Sequence, residues 1–287
     1  VLLIAGCKEK FVSPAPAVVT GYLVVEGVIN NGGGATNIRL SRTISLNDNL
    51  TVNEKGAIVR LEGSNNTSRV LFESGNGNYT INNLQLDTTL KYRLTIKTGS
   101  NEEYLSDFVT VTNNPPIDSV NWVSENNGVQ LYINTHDPQN NSHYYQWDYA
   151  ETWEFHSAYF ATLKYVKDPI TKDNIAVTPR GPGDPAIYAC WQSSISSALL
   201  LGSSAKLSRD IIHLPLNFIP AASWKISVLY SVLVKQYGWS KEGYAFLERM
   251  KKNTESVGSV FDAQPSELTS NIRCSTNPNQ PVIVFFN

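Results

Sequence analysis

Lys91-Tyr92-Arg93-Leu94-Thr95-Ile96-Lys97 is the stretch that decides the fold, because its apolar residues occupy every second position. Successive side chains of a β-strand point to opposite faces, so this alternation predicts a strand with one buried and one solvated face. Other short apolar runs lie about ten residues apart on both sides of it, separated by polar turns. No helical periodicity of useful length precedes residue 113. The first part of the chain therefore predicts a mainly β fold.

Strand spacing and a pair of prolines set the boundaries of the predicted domains. Apolar runs predict strands at residues 22–29, 38–43, 57–62, 69–73, 79–81, 91–97 and 108–112. Short strands joined by polar turns predict a β-sandwich over residues 18–113. Asn113-Asn114-Pro115-Pro116 follows, and its two prolines hold the chain extended and remove two backbone donors. We therefore assign residues 114–287 to a second β-sandwich.

The second predicted domain contains an aromatic strand over residues 144–155. Alternation places five of its aromatic side chains on one face: Tyr145, Trp147, Tyr149, Trp153 and Phe155. Such a face is more often the wall of a core than a platform for a ligand. Further strands are predicted at residues 119–123, 128–134, 211–216, 225–236 and 281–286.

An insertion and a helix interrupt the strands of this half. Residues 166–189 are rich in Pro, Gly and Asp and predict a long loop, which in a compact domain is often functional. After Tyr237-Gly238-Trp239 the apolar period changes and predicts a helix over residues 240–253, with Ser240 as its N-cap. The packing stripe of this helix consists of Tyr244, Phe246, Leu247 and Met250.

The amino-terminal segment indicates where the protein sits. Residues 1–7 form an apolar run that ends in Ala5-Gly6-Cys7, which predicts the end of a lipoprotein signal peptide. Cleavage before Cys7 would allow its thiol to carry a diacylglycerol, and several acyl chains together anchor a protein almost permanently. Residues 8–17 then form a tether. The alternative is a buried first strand with an incidental cysteine.

Composition and charge exclude some classes of partner. The net charge is -2 and the isoelectric point is near 6.1, so no basic field favours nucleic acid. No later apolar run approaches the ~20 residues that cross a bilayer, which leaves the lipid as the predicted membrane attachment. Charged residues make up only 17% of the chain, while Asn, Ser, Thr and Gly are abundant. This composition is typical of β-rich proteins outside the cytoplasm.

Two cysteines remain once Cys7 is assigned to lipid. Cys190 and Cys274 form an even pair, and in an oxidising compartment such a pair favours a disulfide. The alternative is two buried free thiols.

Residues with catalytic or metal-binding chemistry are sparse. The four histidines, His136, His143, His156 and His213, lack metal-ligand spacing with cysteines or carboxylates. Glu151 and Glu154 could suggest a glycosidase pair, but three residues apart on a strand they lie on opposite faces. No nucleophile elbow and no phosphate-binding glycine loop before a helix is present. We therefore expect no metal, no cofactor and no catalytic residues.

Motifs in both halves of the chain resemble one known family. In the first half they are the lipidation motif, Leu23-Val24-Val25-Glu26-Gly27, Gly77-Asn78-Tyr79, Tyr92-Arg93-Leu94 and Tyr104-Leu105-Ser106-Asp107. In the second half they are Pro116-Ile117-Asp118-Ser119-Val120, Glu151-Thr152-Trp153, Cys190-Trp191, Phe261-Asp262-Ala263-Gln264-Pro265 and Ser270-Asn271-Ile272. The chain resembles the Bacteroidetes-type outer-membrane lipoproteins that carry a domain of unknown function and are encoded beside TonB-dependent receptors.

The resemblance implies a location, a partner and a finer fold. It implies an outer-membrane lipoprotein that works with a TonB-dependent β-barrel transporter and faces the cell exterior. Lys8-Glu9 is similar to the charged export signals of surface lipoproteins, although Lys10 replaces an expected acid, so a periplasm-facing placement stays open. The first domain would be similar to prealbumin-like or carboxypeptidase-regulatory-like sandwiches, and the second to a fibronectin-type sandwich with insertions.

The expected function is therefore a non-enzymatic binding or assembly role on that transporter. Loops on a rigid sandwich often carry recognition, so the candidate partner contacts are Trp239, Tyr188 and Arg180. The alternatives are an extracytoplasmic protein that binds or processes glycans or peptides through the aromatic strand, and an adhesin or secretion accessory.

Overall fold

A computed structural model describes residues 21–44, 51–112, 114–125, 127–185, 187–255, 268, 270–282, 284 and 286. The chain divides into two compact units, one formed by Val1–Val111 with Glu267–Asn287 and the other by Thr112–Ser266. Both are built mainly from antiparallel β-strands, as the sequence predicts. The described part of the chain contains no helix with the length and apolarity that crossing a membrane requires.

In the described residues, the first unit begins with nine strands. They are β1 (Leu23–Val28), β2 (Ala35–Arg42), β3 (Val52–Asn53), β4 (Ile58–Gly63), β5 (Ser68–Gly75), β6 (Asn78–Asn82), β7 (Lys91–Lys97), β8 (Glu103–Ser106) and β9 (Val109–Thr110). The strand β7 has the bounds that the alternating stretch predicts. Its residues Tyr92, Leu94 and Ile96 are buried, while the residues between them are not.

As far as the structure describes it, the second unit contains strands β10 to β18 and one α-helix. They are β10 (Ile117–Glu125), β11 (Gly128–His136), β12 (Tyr144–His156), β13 (Leu163–Lys167), β14 (Asn174–Pro179), β15 (Ala189–Ile195), β16 (Leu200–Ser203), β17 (Ile211–Pro220), β18 (Leu229–Gly238) and α1 (Lys241–Glu255). A short 3-10 helix at Trp224–Ile226 precedes β18, where the sequence predicts strand from residue 225. The chain then returns to the first unit through β19 (Ile272–Cys274).

One curled sheet encloses the core of the first unit. Its strands follow the order β1-β2-β6-β5-β4-β7-β8-β19, with β3 paired to β2 and β9 paired to β7. Buried side chains from both ends of this path, such as Leu23 and Leu40 at one end and Ile96 and Ile272 at the other, belong to a single hydrophobic cluster. The sheet therefore curls around its own apolar face.

Two sheets share the core of the second unit. One has the order β10-β11-β17; in the other, β12 pairs with β15, β16 and β18. Leu131 and Ile133 of the first sheet and Tyr145 and Trp147 of the second are buried in one cluster. The hairpin β13-β14 forms a separate two-stranded sheet.

The helix α1 confirms the change of period after β18. The backbone N–H of Gly243 donates to the hydroxyl of Ser240 over 3.1 Å, so Ser240 acts as the N-cap. Tyr244, Phe246 and Leu247 are buried and Met250 is half-buried. The acidic Glu242 lies in the first turn, where the helix dipole favours negative charge.

Three sequence predictions need correction. Residues 166–189 are not a continuous loop, because they hold the end of β13, all of β14 and the start of β15. Residues 114–287 do not form one unit, because β19 pairs with β8 and returns the end of the chain to the first unit. The described residues of the predicted strand 281–286 lie in no strand, although Val282 and Phe286 are buried in the first core.

Candidate functional site

The aromatic face of β12 is a wall of the core, as the sequence predicts. Tyr145 and Trp147 have no exposed surface, and Trp153 is only 6% exposed. The indole Nε1 of Trp147 donates to Oε1 of Gln236 on the neighbouring strand β18 over 2.7 Å. These three rings are therefore not available to stack on a sugar.

Glu151 lies on the same buried face of β12 and is 4% exposed. Its carboxylate forms an ion pair with Nζ of Lys225 and accepts hydrogen bonds from the hydroxyl of Tyr230 at 3.0 Å and from the amide of Asn217 at 3.4 Å. Nζ of Lys225 also lies 4.9 Å from the centre of the Trp153 ring. The carboxylate is thus enclosed by its own protein partners, an arrangement that sequence reasoning missed because Lys225 and Tyr230 are distant in the chain.

The electrostatics of this cluster affect Tyr230 most clearly. Burial of the phenol, followed by its hydrogen bond to Glu151, raises the pKa of Tyr230 well above its ordinary value. Glu154 lies on the opposite face of the strand and pairs with His156, with Oε1 and Nε2 2.9 Å apart. The two glutamates therefore cannot act together on one glycosidic bond.

A second polar cluster surrounds Asp210, which is 2% exposed. Its carboxylate accepts from the hydroxyl of Tyr145 and from the backbone N–H of Asp137, both at 2.6 Å, and from the hydroxyl of Ser204. Nδ1 of His143 lies 3.1 Å from the same Ser204 hydroxyl. The serine therefore lies between the imidazole and the carboxylate, whereas a nucleophilic triad places the histidine there. Ser204 is also fully buried. We therefore interpret the cluster as structural, because it joins Asp210 to Asp137, Tyr145 and Ser204.

Charges in the first unit are likewise paired within the protein. The guanidinium of Arg42 bonds Glu54 at 2.6 Å, Glu102 at 2.8 Å and the hydroxyl of Tyr104 at 3.3 Å. Burial raises the pKa of Tyr104 to about 12. The Arg42 guanidinium thus bonds two carboxylates of the protein itself. Since Arg42 ends β2 and Glu102 precedes β8, the cluster joins β2 to the β7-β8 side of the sheet.

The histidines have separate partners. His136 contacts Asp118, and His213 bonds Asn134 and stacks on Tyr132 with the ring centres 4.6 Å apart. Within the described ranges, no group of three or more His, Cys, Asp or Glu side chains is placed to hold a metal ion.

Several large and exposed apolar side chains belong to the inserted region around the β13-β14 hairpin. Tyr165 of β13 pairs across the hairpin with Val177 of β14, and Leu163 with Pro179, so these residues share one face. Tyr165 is 66% exposed and Val177 is 55% exposed. We call the following exposed residues the insertion surface: Tyr159, Phe160, Leu163, Tyr165, Ile170, Ile175 and Val177.

The solvent face of the neighbouring sheet adds to the exposed apolar area. Ala150 of β12 lies between Leu233 of β18 and Ile195 of β15 in one cross-strand row. Leu233 is 62% exposed and Ile195 is 77% exposed. Sequence alternation places these residues away from the core, but it does not show whether another element covers them.

The three predicted contact residues lie in different environments. Tyr188 is 37% exposed and packs between the rings of His156 and Phe160, with centres 4.6 and 5.1 Å away. Arg180 is half-buried and donates to the backbone oxygens of Leu163 at 3.3 Å and Pro185 at 3.0 Å, so it holds the turn after β14 in place.

Trp239, the third, is half-buried beyond the end of β18. Its backbone N–H donates to the oxygen of Tyr144 over 2.9 Å. Its indole Nε1 is buried and has no hydrogen-bond partner in the described part of the chain. Of the three predicted residues, Tyr188 therefore presents the most surface to a partner.

The structure does not show the predicted disulfide between Cys190 and Cys274. Cys190 lies half-buried in β15 of the second unit, and Cys274 is buried in β19 of the first, and both thiols are free. The sulfur of Cys274 lies 3.3 Å from the hydroxyl of Thr276, and that of Cys190 lies near the oxygen of Ile187. The even number of cysteines suggested a pair, but each thiol has its own local environment. Cys7, the predicted lipidation site, lies outside the described residues.

Comparison with known proteins identifies the family but not a function. No curated protein matches the chain. A family model described as a domain of unknown function (DUF4249) matches residues 8–286. Because this match spans nearly the whole sequence, the chain belongs to the DUF4249 family.

Proposed function

We propose that this protein is a Bacteroidetes-type outer-membrane lipoprotein that acts as a non-enzymatic binding or assembly accessory of a TonB-dependent β-barrel transporter. The lipid anchor would be attached at Cys7, with the folded units displayed outward on the tether of residues 8–17. The motifs that resemble outer-membrane lipoproteins encoded beside such receptors support this assignment. A catalytic role lacks comparable support, because the buried carboxylates of Glu151 and Asp210 are enclosed by protein partners.

The observation that carries the proposal is the insertion surface. Tyr165 and Val177 project from a two-stranded sheet of their own and are more than half exposed. A monomeric soluble protein rarely leaves a contiguous group of large apolar side chains in water unless a partner covers them. Aromatic residues are also enriched in protein interfaces and carry much of the binding energy there. A transporter surface would provide such a cover.

The finer fold assignment accompanies this proposal. The curled sheet of the first unit would correspond to a prealbumin-like or carboxypeptidase-regulatory-like sandwich. The two sheets of the second unit would correspond to a fibronectin-type sandwich, with the β13-β14 hairpin as an insertion. Such a scaffold holds its inserted segments on a rigid base, and this arrangement suits recognition.

The alternative of glycan binding through the aromatic strand loses its proposed platform. Tyr145, Trp147 and Trp153 fill the core of the second unit. A peptide-binding, adhesin or secretion role would use the same exposed residues as the transporter role, so the partner recovered in an experiment separates them.

The test is affinity isolation of the tagged, lipidated protein from outer membranes solubilised in mild detergent. We expect a β-barrel receptor to co-purify in stoichiometric amount. The double variant Tyr165→Ser/Val177→Ser should lose the receptor, because it removes the centre of the insertion surface. Val52→Ser/Phe72→Ser is the matched control, since these first-unit residues are 51% and 71% exposed. Recovery of the protein alone, with its membrane fraction verified, would contradict the proposal, as would a receptor that the double variant retains.

A further inference from the structure

The strand β10 forms a free edge of the sheet β10-β11-β17. It spans nine residues, Ile117–Glu125, and is paired along one side with β11. Within the described part of the chain, no strand pairs with its other side. Backbone N–H and C=O groups along that side are therefore available to an additional strand. The edge is long, since most strands in globular proteins have about five or six residues.

Two of its apolar side chains, those of Val120 and Trp122, lie on the core face of the sheet but outside the covered core. Trp122 pairs with Leu131 of β11, and Val120 pairs with Ile133. Leu131 and Ile133 are 6% and 0% exposed, whereas Trp122 is 68% exposed. Directly paired residues share a face, so the apolar face continues past the region that the opposite sheet covers. An added strand would extend the sheet and could cover Trp122.

The central part of this edge lacks the usual protection against strand addition. Proteins commonly place Lys, Pro or a bulge on a free edge to prevent unwanted pairing. The strand has a register shift between Ile117 and Ser119, but residues 119–125 contain neither Lys nor Pro. The run Val120-Asn121-Trp122-Val123 therefore presents an uninterrupted edge.

We propose that β10 binds an extended segment of a partner protein by strand addition, and that this segment carries Lys or Arg at its ends. The unpaired backbone edge selects an extended chain over a helix, because only an extended chain matches its repeat. The charges of the sheet select the basic ends. Strands β10, β11 and β17 contain Asp118 and Glu125 but no Lys or Arg.

Charge also disfavours a second copy of the same chain as the occupant. A two-fold axis between Asn121 and Trp122 would place Asp118 of one copy opposite Glu125 of the other, and would do so twice. Like charges directly opposite each other destabilise an antiparallel pair. His136 faces Asp118 at 2.8 Å, and the hydroxyl of Tyr132 donates to Glu125 at 2.8 Å. Among the residues that the structure describes, neither carboxylate forms an ion pair with Lys or Arg. A basic partner segment would supply one.

The experiment titrates the full chain with three synthetic peptides. The first is Lys-Val-Thr-Val-Thr-Val-Lys with blocked ends, the second has Glu at both ends, and the third is the first peptide with every backbone amide methylated, so that neither of its edges can donate. Calorimetry measures affinity, amide hydrogen exchange locates the contact, and sedimentation measures the oligomeric state. We expect the Lys-ended peptide to bind and to protect amides of residues 117–125. The Glu-ended and methylated peptides should bind at least about tenfold more weakly, a factor that corresponds to 1.4 kcal/mol.

Variants of the protein distinguish binding at this edge from non-specific binding of the peptide. Trp122→Ala should weaken binding of the Lys-ended peptide about tenfold. Trp224→Ala is the matched control, because Trp224 is also 68% exposed and lies in the same unit, and it should leave the affinity unchanged. Glu125→Lys should shift the preference toward the Glu-ended peptide.

Three results would overturn the inference. One is no binding of the Lys-ended peptide up to about 1 mM. Another is equal binding of the methylated peptide or protection confined to other strands. The third is a dimer, formed without peptide, in which residues 117–125 are already protected, because β10 would then bind a second copy. The transporter test does not depend on this strand, so the two proposals can fail independently.

Discussion

The indole Nε1 of Trp147 donates to Oε1 of Gln236, and both side chains are buried on the same face of the paired strands β12 and β18. The amide nitrogen of Gln236 in turn donates to the backbone oxygen of Pro115 at 2.8 Å and to the hydroxyl of Thr135 at 3.2 Å. One side chain thus satisfies groups from three parts of the second unit. The aromatic side chains of β12 can be buried in the core because their polar atoms have hydrogen-bond partners there.

Gln236→Leu is therefore expected to destabilise the second unit by about 2 kcal/mol, because it leaves the buried indole N–H without a partner. All six tryptophans of the chain lie in this unit, so tryptophan fluorescence in urea reports its unfolding alone. Gln146→Leu on the opposite face of β12 is the control, and it should change stability by less than about 0.5 kcal/mol. Equal effects of the two substitutions would contradict the role of Gln236.

The ion pair between Glu151 and Lys225 should behave as a buried structural pair. Glu151→Gln leaves Lys225 without its counter-charge, which typically costs about 3 kcal/mol or more for a buried pair. Because the Lys225 side chain is 30% exposed, we expect a value at the lower end of that range. Addition of Lys225→Met should restore part of the loss. Glu154→Gln on the solvent face should lower the free energy of unfolding by less than about 1 kcal/mol. An equally small decrease for Glu151→Gln would contradict a buried pair.

The buried tyrosines predict an alkaline limit to stability. Burial, followed by the hydrogen bond to Asp210, raises the pKa of Tyr145, and burial with Glu151 raises that of Tyr230. In the unfolded chain both phenols ionise at about pH 10, so the unfolded state releases these protons at a lower pH than the folded state. This contribution to the unfolding free energy is complete below that pH and is lost as the pH rises toward the folded pKa values.

Urea titrations at a series of pH values check this sign. Stability of the second unit should fall as the pH rises above about 10, and Tyr230→Phe should make the fall shallower. The burial of these phenols would be contradicted if all fourteen tyrosines ionised at the pH at which free tyrosine does, while the native tryptophan fluorescence was retained.

The thiols of Cys190 and Cys274 should differ in reactivity. Cys190 is half-buried and Cys274 is 2% exposed, so a thiol reagent should label Cys190 in the folded protein and Cys274 only after unfolding. Reductant should not change the urea midpoint of the second unit. Detection of a bond between the two cysteines by mass spectrometry of unreduced peptides would contradict this expectation.

Local patterns in the sequence predict those helices and strands whose structure follows from the periodicity of their own residues. The alternation in residues 91–97 gives β7 with its observed bounds, and the period and Ser240 cap give α1 to within two residues at its end. In both cases the pattern of buried positions repeats along a single segment. The buried face of β12 follows from the same alternation.

Elements that depend on distant partners were not predictable in this way. The strand β19 has only three residues and exists because Ile272 pairs with Ser106 of β8. The hairpin β13-β14 lies in a segment whose Pro and Gly content indicates a loop. Likewise, the partners of Glu151 come from β17, the 3-10 helix and β18, so only the folded chain brings this cluster together.

Site-specific crosslinking tests the central claim most directly. A photo-reactive amino acid replaces Tyr165 on the insertion surface or, as a control, Phe72 in the first unit, which is similarly exposed. The lipidated proteins are expressed in the native outer membrane and irradiated in intact cells. Our account predicts a crosslink from position 165 to a TonB-dependent β-barrel receptor and none from position 72. A receptor crosslink from position 72 alone, or no receptor crosslink from position 165, would contradict it.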